Sequence, residues 1–197
     1  MNSDKDIVIT SAFRTPIGSF QGSLKDHKAT ELGTEVVKKC MEHSKLNGSE
    51  VDTVILGQVL QAGCGQNPAR QAAINSGIDK DKTATTINQV CGSGLAAITL
   101  GFNSLKLNDA NIVIAGGQES MTNSPHYLNF RMGKNLSEEK LKDTMLVDGL
   151  LDAYNDYHMG VTAENIAEKY QITRNDQDNF AFNSQKKAIK AISENKF

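Results

Sequence analysis

The feature that most constrains this chain is the passage from Thr83 to Lys106. Thr83 to Val90 (TATTINQV) is rich in threonine and β-branched residues, the pattern of a strand, and from Ala96 onward Ala97, Leu100 and Leu105 give a helical pattern running to about Lys106. Only CGSGL lies between them. Cys91 stands at the junction, where a helix start leaves backbone N–H groups unpaired and the helix dipole is positive. Such a place favours thiolate over thiol and can also hold an oxyanion. Gly92 and Gly94 remove side chains where the backbone is expected to turn sharply. Read alone, the same cysteine also suits a small buried residue at a tight corner.

The flanking sequence repeats the alternation. Asp6 to Thr10 (DIVIT) reads as a strand and Arg14 to Gly18 (RTPIG) as a loop. From Thr30, Leu32, Val36 and Cys40 fall on one helical face, which makes Cys40 a core-facing small residue. Val51 to Leu60 (VDTVILGQVL) is a second strand pattern. Asn67 and Pro68 then supply a cap and a first-turn proline for a helix closed by Gly77, and Asn111 to Gly117 (NIVIAGG) is a further strand. Strands alternating with helices define an α/β layer with a mostly parallel sheet.

After Met121 the texture changes. The stretch SMTNSPHYLNFRMGKN has neither period, and SEEKLKDTML, GVTAENIAEKY and TRNDQDNFAFNSQKKAIKAI read as helical pieces with Ser137, Thr162 and Thr173 as caps. The expected division is an α/β domain over 1–120 and a mainly helical insertion over 121–197.

Composition excludes several classes. Lys+Arg 21 against Asp+Glu 23 gives a formal net charge of -2, and no basic run exceeds Lys186-Lys187, so no nucleic-acid or anionic-membrane footprint is present. The N-terminal MNSDKDIVIT has neither a secretory nor a transit pattern, and no apolar run approaches a membrane span. Three widely spaced cysteines, Cys40, Cys64 and Cys91, indicate neither a disulfide framework nor a metal site. The expected location is a reducing cytoplasm. The glycine-rich pieces match neither the P-loop nor the dinucleotide-binding spacing.

The ordered stretches RTPIGSFQGSL, GQNPARQAA, INQVCGSGLAA, AGGQESMTNSPHYL and DGLLDAYNDYHMGVTAENIAEKYQITRNDQDNFAFNSQ resemble the thiolases, particularly the acetyltransferases of the acetoacetyl type. The resemblance implies a thiolase-like N-terminal half, a layered α/β fold carrying a helical loop domain that holds coenzyme A. It implies that Cys91 accepts an acyl group from acyl-CoA and passes it to the enolate of a second acetyl-CoA, giving acetoacetyl-CoA and CoA, or runs the reverse. It also implies that Leu150, His158 and Met159 line the pantetheine and thioester end of the pocket, and that the assembly is a homodimer or homotetramer in fatty acid and ketone body metabolism. By residue type alone, His158 is an ordinary loop histidine, and Leu150 and Met159 are ordinary core. His126 reads as structural, His27 and His43 as surface residues and Cys64 as a bystander.

Condensation also needs a base for the acetyl-CoA methyl group and an acceptor for the thiol proton. In thiolases these are a second cysteine and a histidine of a C-terminal half, and neither matches a position here. The chain therefore reads as the N-terminal part of a longer thiolase, expected to be inactive alone. Two alternatives stand beside this: a ketosynthase-like condensing enzyme, and a non-catalytic half that binds CoA or complements a separate chain carrying the second half.

Overall fold

The computed structural model describes residues 6–129 and 140–196. The chain divides into two compact units, Met1–Gly149 and Leu150–Phe197. In the first, helix α1 (Ala29–Ser44) precedes strand β1 (Thr53–Gly57), helix α2 (Pro68–Asn75), strand β2 (Thr83–Ile87), helix α3 (Ser93–Lys106) and strand β3 (Val113–Gly117). The sheet is parallel with order β2-β1-β3, pairing Thr53 with both Thr83 and Val113, and Gly57 with both Ile87 and Gly117. The alternation of strand and helix read from the sequence is thus present, and the two crossovers pass through α2 and α3.

Side-chain alternation along β1 assigns its two faces. Val54 and Leu56 join Val37 and Met41 of α1, Ala69, Ala72 and Ala73 of α2, and Val51 and Ile78 in one apolar cluster. Ile114 of β3 and Ala84 of β2 pack against the same cluster. The opposite face receives α3, where a Cβ at Gly101 would lie 3.0 Å from Val113 and 3.4 Å from Ala115. Helices cover the sheet on both faces, which is why β1 is apolar almost throughout rather than alternating. Helix α3 buries Ser93, Ala97 and Gly101 and leaves Leu95, Ile98 and Phe102 outward.

The local signals around α2 operate as read. Asn67 caps it by accepting from the Arg70 N–H, Pro68 opens it, and Gly77 follows its end at φ 95°. Three readings need correction. Residues 6–10 form no strand: Val8 and Ile9 are exposed, because no described strand lies beside them to supply ladder hydrogen bonds. The core-facing stripe of α1 is Gly33, Val37 and Met41, one position beyond the expected Leu32, Val36 and Cys40, all of which are half-buried. The segment read as helix over 137–146 instead contains strand β5 (Lys142–Asp143), antiparallel to β4 (His126–Tyr127); Ser137, its expected cap, lies outside the described residues. Thr144, fully buried, hydrogen-bonds the Pro125 carbonyl and fastens this short ribbon.

A π-helical turn, Leu146–Leu150, follows. The second unit holds helices α4 (Met159–Lys169) and α5 (Arg174–Ser193). Thr173 caps α5 as expected, in a reciprocal box with Asp176. Helix α4 begins three residues before the expected Thr162, because the His158 side chain caps it.

Candidate active site

The ends of β1, β2 and β3 lie at one edge of the sheet, the carboxyl edge at which open parallel sheets receive ligands. Cys91 is displayed there. The Gln58 N–H, just past the end of β1, donates to the carbonyl of Ile87, the last residue of β2, at 3.0 Å, and Asn88, Gln89 and Val90 then carry the chain to Cys91. The sharp residue is Val90, at φ 49°. A β-branched side chain in the left-handed region is a genuine outlier that costs on the order of 1–3 kcal/mol and persists only where its surroundings over-determine it.

They do so here. The Asn88 Oδ1 accepts the Val90 N–H at 2.9 Å. Buried Ser93 accepts the Gln89 N–H at 2.8 Å and donates to the Val90 carbonyl at 2.6 Å through the same Oγ. The Gly92 and Ser93 N–H groups close back onto the Gln89 and Val90 carbonyls, each at 3.0 Å. The result is a closed turn with the Cys91 side chain exposed, followed directly by α3, whose start no side chain caps. The positive end of α3 is therefore left to act on whatever occupies the turn.

Close approach of the helix to the sheet sets the height of this turn. A Cβ at Gly57 would fall 2.5 Å from the Ser93 Cβ and 2.9 Å from the Gly94 nitrogen. Gly57, at the end of β1, is thus the glycine on which the elbow rests. The sharp turn expected at Gly92 and Gly94 falls instead at Val90: Gly92 is right-handed at φ -83°, and a Cβ at Gly94 would meet open space. Sequence reading missed Val90, Ser93 and Gly57. Nothing in the residue types marks Val90 as strained or Ser93 as buried, and the contact with Gly57 is non-local.

Glu119, just past β3, also went unread. Its carboxylate accepts the Val59 N–H at 2.8 Å and the Leu60 N–H at 3.3 Å. Burial pushes its carboxyl above the usual range, more than the Val59, Leu60 and Ser120 amides pull it down. Cys64, half-buried nearby, accepts from the Gln58 side-chain amide at 3.2 Å.

Leu150, His158 and Met159 belong to the second unit. Leu150 ends the π-helical turn and is half-buried. His158 and Met159 are exposed at the head of α4. The His158 Nδ1 accepts the Gly160 N–H at 3.0 Å, which leaves Nε2 to carry the proton of the neutral ring. The loop before it is closed by the Leu151–His158 bridge, by the Asp152 N–H on the Tyr157 carbonyl at 2.9 Å, and by the Asp152 carboxylate on the Asn155 N–H at 2.7 Å. This places His158 on a closed loop in which, among the described residues, its Nε2 has no hydrogen-bond acceptor.

A parallel sheet covered by helices on both faces, displaying a cysteine at a strand-to-helix elbow over its carboxyl edge, defines the class of α/β protein. Residues 7–197 match the family model for the thiolase N-terminal domain, and the chain belongs to the thiolase family. It is 53% identical to an acetyl-CoA acetyltransferase of Pseudomonas aeruginosa, over 98% of this chain and 49% of that protein. It is 54% identical to a probable acetyl-CoA acyltransferase of Staphylococcus epidermidis, over 94% of this chain and 47% of the relative. The crystal structure of the Acat5 thiolase from Ascaris suum in complex with coenzyme A superposes with a TM-score of 0.93 at 40% identity, covering 97% of this chain and 50% of that one. The chain thus spans about half the length of the relatives it matches. The N-terminal thiolase fold and the thiolase family expected from the sequence are those found. Among the described residues, no helix is long and apolar enough to cross a membrane.

Proposed function

We propose that this chain supplies the nucleophile half of an acetyl-CoA C-acetyltransferase, which joins two acetyl-CoA molecules to acetoacetyl-CoA and CoA and runs equally in reverse. The observation that carries the reading is the exposed Cys91 on a closed elbow at the uncapped start of α3. The Cys91 sulfur attacks the acetyl-CoA thioester carbonyl, the bond to the CoA sulfur breaks, and CoA leaves as the thiol once protonated. A second acetyl-CoA, deprotonated at its methyl group, then attacks the acetyl-Cys91 carbonyl and releases the cysteine. The amides at the start of α3 supply positive potential where negative charge develops on the carbonyl oxygen.

The names of the similar proteins favour acetyl-CoA as the acyl donor, and the CoA-bound state of the Ascaris suum thiolase favours coenzyme A as the carrier. Leu150, His158 and Met159 would contact the pantetheine and thioester, with His158 Nε2 as a donor. Coenzyme A enters as substrate, so the reaction needs no bound cofactor. The base and the acid would come from sequence corresponding to the half of the relatives that this chain does not span. The chain alone would then be inactive, working as part of a longer cytoplasmic polypeptide or beside a partner chain, in a homodimer or homotetramer.

The test is to expose the intact protein that carries this chain, with any partner chain, to acetyl-CoA and examine the Cys91 peptide by mass spectrometry. An acetyl adduct that is absent from Cys91→Ser supports the assignment. Acetylation confined to Cys40 or Cys64 would overturn it.

A further inference from the structure

Glu119 stands outside the reaction as proposed, yet its carboxylate reaches across the carboxyl edge of the sheet. It receives the Val59 N–H at 2.8 Å and the Leu60 N–H at 3.3 Å, from a segment some sixty positions earlier in the chain. An ionised carboxylate only accepts, so it suits two converging amides at a strand end that has lost its ladder partners. The pinned segment then meets the start of the elbow at two points. Gln58 donates its N–H to the Ile87 carbonyl at 3.0 Å, and the Asn88 Nδ2 donates to the Val59 carbonyl at 3.5 Å. The same Asn88 side chain accepts the Val90 N–H at 2.9 Å.

We infer that Glu119 is a positioning residue for Cys91: it holds Val59 and Leu60 in the place from which the end of β1 fixes Asn88, and through Asn88 the left-handed Val90. The inference rests on reading Cys91 as the nucleophile. A second tie runs beside this one, the Gln118 Nε2 donating to the Gln58 Oε1 at 2.9 Å, with both side chains buried. It keeps the ends of β1 and β3 together without Glu119, so loss of the carboxylate frees the Val59–Leu60 segment while the sheet stays paired.

The experiment follows alkylation of the thiols by iodoacetamide in the intact protein that carries this chain, resolved by peptide mass spectrometry, with half-buried Cys40 as internal reference. In Glu119→Ala, exchange at the Val59, Leu60 and Val90 amides quickens and the Cys91 rate falls by up to about tenfold, as the sulfur loses its fixed place at the uncapped positive end of α3, while Cys40 is unchanged. Glu119→Gln keeps one acceptor oxygen and brings Cys91 back to within about threefold of wild type, a rescue that a general packing defect would not give. Exchange that quickens at Val59 and Leu60 with the Cys91 rate unmoved in both variants overturns the inference. If Glu119→Ala does not fold, seen as Cys40 reacting like a free thiol, Glu119→Asp, which keeps the charge but draws the carboxylate back by one methylene from the Val59 and Leu60 amides, decides: a Cys91 rate equal to wild type overturns the inference, and a drop confined to Cys91 sustains it. Alkylation needs no acyl-CoA. A Cys91 that alkylates but never acetylates sinks the proposed reaction and leaves its placement by Glu119 standing.

Discussion

The Ser93 hydroxyl donates to the carbonyl of Val90 across 2.6 Å while accepting the Gln89 amide at 2.8 Å, so one buried oxygen closes the turn on both sides of Cys91. Ser93→Ala removes both bonds and leaves the Gln89 N–H without its acceptor, while the Val90 carbonyl keeps the backbone N–H of residue 93. The expected loss is about 1–3 kcal/mol in denaturant unfolding, together with slower alkylation of Cys91. An unchanged midpoint would mean that the turn is held by its backbone bonds alone.

Val90 carries the strain that this closure maintains. In Val90→Gly the left-handed backbone becomes ordinary, and the gain exceeds the added entropy of a glycine in the unfolded chain. Stability should rise by about 1 kcal/mol while Cys91 reacts more slowly, since the turn is no longer restricted to one shape. A lower unfolding midpoint would show that the valine is not strained.

Gly57 and Gly94 make a paired test of how closely α3 approaches the sheet. Gly57→Ala sets a methyl group 2.5 Å from the Ser93 Cβ and should cost at least about 2 kcal/mol as the helix start is pushed off the strand. Gly94→Ala meets open space and sits in the first turn of a helix, so it should be neutral or stabilising by up to about 1 kcal/mol. Equal costs at both positions would contradict the packing described.

Asp52 gives a pH signature. Its carboxylate accepts the Asn111 and Ile112 amides, at 2.7 and 3.1 Å, and these bonds hold its carboxyl below the ordinary aspartate range. The folded group therefore binds its proton less readily than the unfolded one. Its contribution is present above the ordinary aspartate value and is lost as the pH falls toward the lowered folded value. Melting temperature followed downward through the carboxylate range should fall more steeply for wild type than for Asp52→Asn. Parallel curves would remove Asp52 from the linkage.

Local chemistry accounts for what could be read in advance. Asn67, Pro68 and Thr173 act within one turn of themselves, and each stands where its sequence neighbours put it. Cys91 was legible for the same reason: a strand, a glycine-bearing turn and a helix are contiguous. The unread parts depend on distant partners. The short apolar run in residues 6–10 says that a segment can pair, not that another strand lies beside it. Val90 adopts a conformation against its own preference because Ser93 and Asn88 impose it, and no propensity scale points to such a residue. Glu119 looks like any loop glutamate until β1 and β3 are set side by side. For Leu150, His158 and Met159 only the family resemblance singled them out, and nothing in their local spacing would have done so.

Strand β1 itself presents no chemistry, yet Gly57 sets the height of the elbow and Gln58 sets its starting point. Insertions and deletions should therefore weigh more than substitutions in its history. One residue added between Thr53 and Gly57 would shift the strand end against both neighbours and turn its side chains to the opposite face. The same residue added to the turn-rich stretch at 61–66 would leave these contacts untouched. The length of this five-residue strand, more than its composition, is what descent has to preserve.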